Sequence, residues 1–516
     1  MIRPTRRAVL ITVGLLLSLS VFFFDSELHQ FQRIDSQTGE LVDFGSRPAL
    51  AASVALLMAF LWITETISIY RTACLPFILF PVLGVYGGDT ANRLLGPILP
   101  YTDAYIFLFL GGMGIAAAMQ QWNLHRRIAL NILRAIGTRP QMILGGMILA
   151  TAAVSMWISN TATTAMMLPI GMALIAQIES QSGGGRREFF GGALMLAIAY
   201  GANVGGMGTK IGTGPNAIFC GFASEHMGTE ISFLDFLTLG LPFMVCFLPL
   251  VWCALWLAGR RDAPQGEIGR TVIEEQLREL GPISRPEKLI GVVFALTAIL
   301  WILSGPITQL LKPLLGPLYD ELFSIRYRNK HFESTTAILA VLALLCLPSG
   351  SGDGGRILRL GQLRVIPWPT LVLIGGGFSL AGGIDRSGLS QWMGGQMAFL
   401  IQYPEWIQFV GVCVFTVFFG AIASNVATIT VMLLVLKSAT DGSDSAGIAL
   451  PLMAAATLAS SCDFMLPAGT PPNAIVFGSG YVRISRMARI GFFLDLTAAL
   501  LVAAWAYFGI GLILGI

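Results

Sequence analysis

The chain has 516 residues, of which 55% are hydrophobic and 12% charged, with a formal net charge of +3. Soluble domains carry roughly 25% charged residues, so a water-soluble globule is excluded, and so small a net charge gives no ground for a nucleic-acid partner. A mean hydropathy of +0.73 places the chain among polytopic membrane proteins.

The start, MIRPTRR and then an apolar run from Val9 to Phe24, has the form of a signal sequence, but no A-x-A-like site follows closely. A retained span with a cytoplasmic amino end is therefore predicted, with a mostly polar loop after it up to residue 47. Apolar stretches then recur near 48–66, 72–87, 104–121, 142–178, 191–225, 233–258, 288–311, 334–348, 369–385, 405–436, 447–480 and 490–514. Four, 142–178, 191–225, 405–436 and 447–480, are too long for one crossing. If 142–178 and 405–436 each enter and leave on one side, the fold is an all-α polytopic membrane protein of about eleven transmembrane helices plus two re-entrant hairpins. Most basic clusters, from Arg3, Arg6 and Arg7 to Arg483, Arg486 and Arg489, then face the cytoplasm, as the positive-inside rule expects of a cell-membrane protein. The segment 312–333 runs against the rule, with Lys312, Arg326, Arg328 and Lys330 outside beside Asp320, Glu321 and Glu333.

Four regions follow: an amino-terminal span and loop (1–47), a first repeat (48–260), a cytoplasmic linker (261–287) and a second repeat (288–516). Five crossings and a hairpin per repeat turn the second copy upside down relative to the first. Trp122 to Leu133 suits a helix lying on the membrane surface, and Thr271 to Leu280 a helix within the linker. Cysteines 74, 220, 246, 253, 346, 413 and 462 lie in apolar stretches without metal spacing and read as small buried hydrophobes. His29, His125, His226 and His331 form no cluster.

The two halves share two patterns. SNTATTAMMLPI from Ser159 is echoed by SNVATITVMLLVL from Ser424, and GTGPNAIFCG from Gly212 by GTPPNAIVFG from Gly469. Such polar and helix-breaking strings survive at membrane depth only where they line a cavity. Ser159, Asn160 and Thr161 stand where they can cap a half-helix whose free amides suit an anion. The Gly and Pro residues of the second pattern stop one helical segment and start the next, leaving carbonyls able to hold a hard cation such as sodium.

These motifs, with WITET near Trp62, LFLGGMGIAAAMQQWNLHRRIAL near Leu108, IPWPTLVLIGGGFSLAGGIDRSGLS from Ile366 and DFMLPAGTPPNAIVFGSG from Asp463, resemble those of the divalent anion:sodium symporters. Members carry dicarboxylates, citrate and, in some branches, sulfate. The resemblance spans nearly everything after residue 50. It implies a homodimer, elevator-type alternating access, and sodium-driven uptake of a small dicarboxylate such as succinate or malate, with sodium ions for coupling and no other cofactor. It also implies that Ser159, Asn160 and Thr161 meet substrate and a first sodium, with Gly206 to Gly212 adding carbonyls. Ser424 and Asn425 would serve the second half, with Ala468 to Thr470 around a second sodium. Thr213, Asn216, Thr470, Pro472 and Asn473 would line the rest of the pocket.

Two positions depart from the pattern. Val426 stands where a second SNT would have Thr, removing one hydroxyl donor. Lys210 stands where an apolar residue is ordinary, and a lysine so deep is a functional candidate. Its ammonium replaces the first sodium, contacts the anion, or pairs elsewhere, with Asp463 or Glu65 as partners; Asp463 is in turn a proton-coupling candidate. Sodium-independent anion exchange and sulfate or other inorganic anion transport are the alternative functions within the class. An intramembrane enzyme would need a nucleophile with its base or a metal motif; there is no HExxH and no convincing Ser/His or paired-Asp set at membrane depth. A channel would not concentrate its substrate.

Overall fold

The computed structural model describes residues 4–24, 31–34, 41–64, 66–181, 185–266, 269–316, 328–350, 355–397, 402–421, 424–440, 447–510 and 513. The chain opens with α1 (Pro4–Phe24). A two-stranded antiparallel ribbon follows, β1 (Phe31–Ile34) against β2 (Leu41–Gly45), where a polar loop in an all-α protein was expected. Phe31, Ile34, Val42 and Phe44 favour extended backbone, which accounts for the departure. Helices α2 (Arg47–Thr64), α3 (Ile69–Thr72), α4 (Leu75–Leu83) and α5 (Thr90–Leu95) come next.

The first repeated unit is α6 (Ala104–Gln121), α7 (Leu124–Ile136), α8 (Pro140–Ser155), α9 (Asn160–Gln181), α10 (Glu188–Gly206), α11 (Gly214–Met227) and α12 (Phe233–Gly259). The linker contains α13 (Arg270–Glu279), and α14 (Arg285–Ile302), α15 (Ser304–Leu315) and α16 (Arg328–Cys346) follow. The second unit repeats the order: α17 (Trp368–Arg386), α18 (Leu389–Met397), α19 (Glu405–Gly420), α20 (Asn425–Thr440), α21 (Ala449–Ser460), α22 (Pro471–Phe477) and α23 (Ile484–Trp505). Polar side chains fix several starts. Ser232 and Asp235 form a capping box on α12, as Ser284 and Glu287 do on α14. Asp262 reaches back to accept from the amides of Phe189 and Phe190 at 2.8 and 2.7 Å, closing the first turn of α10.

Among the described residues, six helical stretches are long and apolar enough to cross a bilayer: 47–64, 99–121, 160–181, 188–206, 233–262 and 484–510. The pair α14 and α15, bent by 72°, makes a seventh if it is one crossing. Among six further apolar helices of 10 to 17 residues, α8, α19, α20 and α21 are pieces of hydrophobic runs that the polar motifs interrupt.

Helix α10 is the hub. It packs on α8, α9 and α12, and α21 packs in the same way on α19, α20 and α23. A Cβ on Gly201 would sit 2.8 Å from Ile148 O, and one on Gly205 would strike the backbone of Ala152, so α10 and α8 meet backbone to backbone. The broken helices cross between the units, α22 packing on α9 and α10, and α11 on α20 and α21. Around this interlocked core, α6 packs on α16, and α17 on α2, α3 and α4.

The surface helix ties the linker down. Arg127 on α7 bonds Glu287 Oε1 at 2.6 Å, Gly281 O at 2.9 Å and Leu280 O at 3.1 Å. The cysteines divide: Cys220, Cys413 and Cys462 are buried, Cys74 is half-buried, and Cys246, Cys253 and Cys346 are exposed. Cys246 and Cys253 are two turns apart on α12, on one outward-facing stripe of an apolar helix. Apolar sequence context therefore marked lipid-compatible positions as well as buried ones.

Candidate functional site

Each half contains a break between two helices, and one asparagine past the break gathers its carbonyls. In the first half, Asn216 Nδ2 donates to Gly206 O at 2.9 Å and to Thr209 O at 2.7 Å, ten and seven residues before it. In the second, Asn473 Nδ2 donates to Asp463 O and Leu466 O, both at 3.0 Å, again ten and seven residues before it. The same amide holds the same turn of unwound backbone in both halves. Thr209 O and Leu466 O also accept from the amides of Gly212 and Gly469, at 3.2 and 3.3 Å, and Asp463 O from Asn203, so each asparagine adds a second donor to carbonyls at its break and Gly206 O rests on Asn216.

The SN motifs lie against these turns. Asn160 opens α9 and its amide group touches Gly206; a Cβ there would collide with Asn160 Oδ1. Ser155 Oγ donates to Asn160 Oδ1 at 2.8 Å and orients the amide. Ser159 Oγ accepts from Ala162 N at 3.4 Å, a long capping bond, and Thr161 is exposed on the first turn. Gly212 lies on Gly206, leaving no room for a side chain. Thr213 precedes α11 and is half-buried. In the second half Ser424 and Asn425 are half-buried at the start of α20, Thr470 Oγ1 accepts from Asn473 N at 3.3 Å, Pro472 is buried and Ala468 exposed.

The two breaks meet. A Cβ on Gly214, at the first turn of α11, would lie 3.0 Å from Val426 Cγ2, on the first turn of α20. GTGPN thus has Gly where GTPPN has Pro471, and the space receives Val426. The missing hydroxyl is replaced by a packed apolar contact between the halves. Asn203 makes a second bridge, its Nδ2 lying 3.3 Å from Asp463 O, 3.1 Å from Thr470 Oγ1 and 3.4 Å from Asn473 Oδ1. Tyr200 OH donates to Phe464 O at 2.7 Å.

Lys210 points away from this junction. Its fully buried Nζ bonds Glu333 Oε2 at 2.7 Å and Ile231 O at 2.6 Å, and lies 4.7 Å from the ring centre of Tyr105. Glu333 Oε1 accepts from Phe233 N at 2.7 Å, so it also caps α12, and from Ser304 Oγ at 3.1 Å. Neither expected partner holds the lysine: Asp463 has no hydrogen-bond partner on either carboxylate oxygen, and Glu65 lies outside the described residues. Beside this pair Lys330 bonds Asp103 at 2.5 Å. Lys330 and Glu333, read from sequence as outside-loop charge, are buried anchors instead.

Sequence reasoning missed Asn203, Ser155, Tyr200 and Glu333. Asn203 gave a signal, an amide inside the small-residue run GANVGG, and Glu333 stood where apolar periodicity begins. Nothing local marked which partners they would meet. Several buried oxygens keep spare acceptor capacity: Asn203 Oδ1, Asn216 Oδ1 and Asn425 Oδ1 have no hydrogen-bond partner. Neutral amide and carbonyl oxygens at a break suit a hard monovalent cation, and the amides of the adjoining half-helices suit an anion.

The fold is shared with two solved proteins. Over 97% of this chain and 98% of the other, it is similar to the solved YdaH transporter of Alcanivorax borkumensis (TM-score 0.56, 14% identity). Over 98% and 95% it is similar to Neisseria gonorrhoeae MtrF, described as one of a class of antimetabolite efflux pumps (TM-score 0.55, 14% identity). Residues 44–514 match the family model of the sodium:sulfate symporter transmembrane region, and the chain is 35% identical over 471 residues to the sodium-dependent dicarboxylate transporter SdcS of Staphylococcus aureus, covering 90% of this chain and 86% of that one. The protein belongs to this divalent anion:sodium symporter family and is a multi-pass membrane protein.

Proposed function

We propose that the protein is a secondary active transporter that carries a small divalent organic anion, such as succinate or malate, with citrate in the same class, across the cell membrane in symport with sodium. The observation that carries the reading is the pair of breaks, each gathered by one asparagine at the same spacing and joined through Gly214, Val426 and Asn203. The sodium dependence and dicarboxylate specificity in the name of SdcS support it.

In this reading Ser159, Asn160, Gly206 and Gly212 hold one sodium, and Ser424, Asn425 and the backbone at Ala468 hold a second. Bound sodium supplies the positive charge that the pocket's neutral donors lack. Thr161, Thr213, Asn216, Thr470, Pro472 and Asn473 shape the space between, where the half-helix amides face a carboxylate at each end. A doubly charged anion enters poorly before the cations and readily after them, which is coupling in its simplest form. The interlocked α8–α12 and α19–α23 move as one body past the flanking helices, in an eleven-span, two-hairpin topology with the amino end in the cytoplasm and two copies per assembly.

Lys210 gives no support to sodium-free exchange, because its ammonium is held by Glu333 and Ile231 O. Uptake of labelled succinate, malate, citrate and sulfate into proteoliposomes tests the proposal. Concentrative uptake of a dicarboxylate under an inward sodium gradient is expected. Flux driven only by internal counter-anion would overturn symport.

A further inference from the structure

Superposing the two asparagines sets Asp463 opposite Gly206, and the two cradles differ there more than anywhere else. Gly206 has no side chain, and Asn160 occupies the space. Asp463 puts a carboxylate there, 1% exposed, with no hydrogen-bond partner on either oxygen. Gly469 makes room for it, since a Cβ at 469 would overlap that carboxylate. Asp495 on α23 stands beside the same turn; its Oδ1 accepts from Phe464 N at 2.9 Å, while its Oδ2 is unpartnered. Ser461 Oγ, in the same break, is also buried without a partner. Among the described residues no Lys, Arg or His makes an ion pair with either aspartate.

A carboxylate out of water with neither donor nor counter-charge is heavily penalised. Asp495 is relieved by a backbone amide; Asp463 is not. Its oxygens lie beside the turn whose carbonyls Asn473 has gathered, on the side where the first half places only the neutral amide of Asn160.

We infer that the Asp463 carboxylate is a charged ligand for the cation of the second break, so that this break holds sodium through an anionic group and the first through neutral oxygens alone. The two sites are then unequal. The second fills at lower sodium concentration and fills without substrate, because its counter-charge is built in; the first fills in step with the anion. The inference takes the identity of the ion from the transport reading above.

The test uses the purified full-length protein without substrate. Its thermal unfolding midpoint is followed against sodium chloride, with choline chloride keeping ionic strength constant. Wild type is expected to rise in midpoint at low sodium, and Asp463→Asn to need at least about tenfold more sodium for the same rise. A variant curve superimposed on wild type would overturn the assignment. Should Asp463→Asn not fold, hydrogen exchange of wild type decides. Sodium slowing exchange across 461–474 relative to choline supports the site, and equal exchange in both salts overturns it. Failure of sodium-driven uptake would sink the symport reading and leave this titration readable, so the two ideas fail separately.

Discussion

The two breaks share a scaffold and differ in charge. In the first, the one charged side chain, Lys210, turns outward and is tied to Glu333 on α16, a helix of the flanking body. In the second, Pro467 stands opposite Lys210, and the charge is the unpartnered carboxylate of Asp463. One half is thus anchored to its surroundings through a buried ion pair, and the other keeps an uncompensated charge facing its own turn. Repeats that conserve hydrogen-bond geometry are free to diverge in electrostatics, because the gathered carbonyls are set by a single amide and not by neighbouring charge.

The largest effect expected on this contrast is at the anchor. Glu333→Ala leaves Lys210 buried and unpaired and is expected to cost about 3–5 kcal/mol, read as a lowered unfolding midpoint in detergent. Lys210→Met combined with Glu333→Gln recovers most of it. A single variant as stable as wild type would show that the pair does not anchor the first break.

Next come the gathering amides. Asn216→Ala and Asn473→Ala each remove two hydrogen bonds to the unwound backbone, at about 2 kcal/mol, with loss of uptake. Asn473→Ala is expected to be the worse, since Asn203 also reaches Asn473 Oδ1. Equal losses would mean that the contact of Asn203 with Asn473 Oδ1 adds nothing to the junction.

Val426→Thr is smaller and opposite in sign. Threonine nearly keeps the shape that fills the space beside Gly214 and restores a hydroxyl at the second tip. The KM for dicarboxylate uptake is expected to fall about tenfold, as for one hydrogen bond to a charged group. An unchanged KM would place position 426 out of reach of substrate.

The smallest effect is at α7, outside the spans. Burial holds the His125 imidazole below the usual histidine range, and its Nδ1–H donates to Met119 O at 2.9 Å. A depressed folded value means that neutral His125 supports the fold above about pH 6.5, and that this support is lost as pH falls through the folded value. His125→Gln should flatten that part of a midpoint-against-pH curve. A variant curve as steep as wild type would assign the acid sensitivity elsewhere.

Much of the junction could be read in advance because it is local. SN and GT-PN strings inside apolar runs announce breaks, and Pro215, Pro471 and Pro472 announce where helices restart. The membrane-buried character followed from composition, and helices near 124–136 and 270–279 from their patterning. What local pattern did not carry was partnership. Lys210 was visible as an anomaly, yet Glu333 is 123 residues away in sequence and was taken for loop charge. Val426 was read as a missing donor because its use, filling the space beside Gly214, depends on the other half. The ribbon at 31–45 was overlooked because its few β-favouring residues flank polar sequence.

Asn203 has a consequence for biogenesis. Its amide donors reach Asp463, Thr470 and Asn473, which are synthesised some 260 residues later. Until they are inserted, a newly made first half holds an unsatisfied amide in the last turn of its most enclosed helix. A chain truncated at the linker is therefore left polar where it should be dry, a flaw that membrane quality-control proteases are suited to detect.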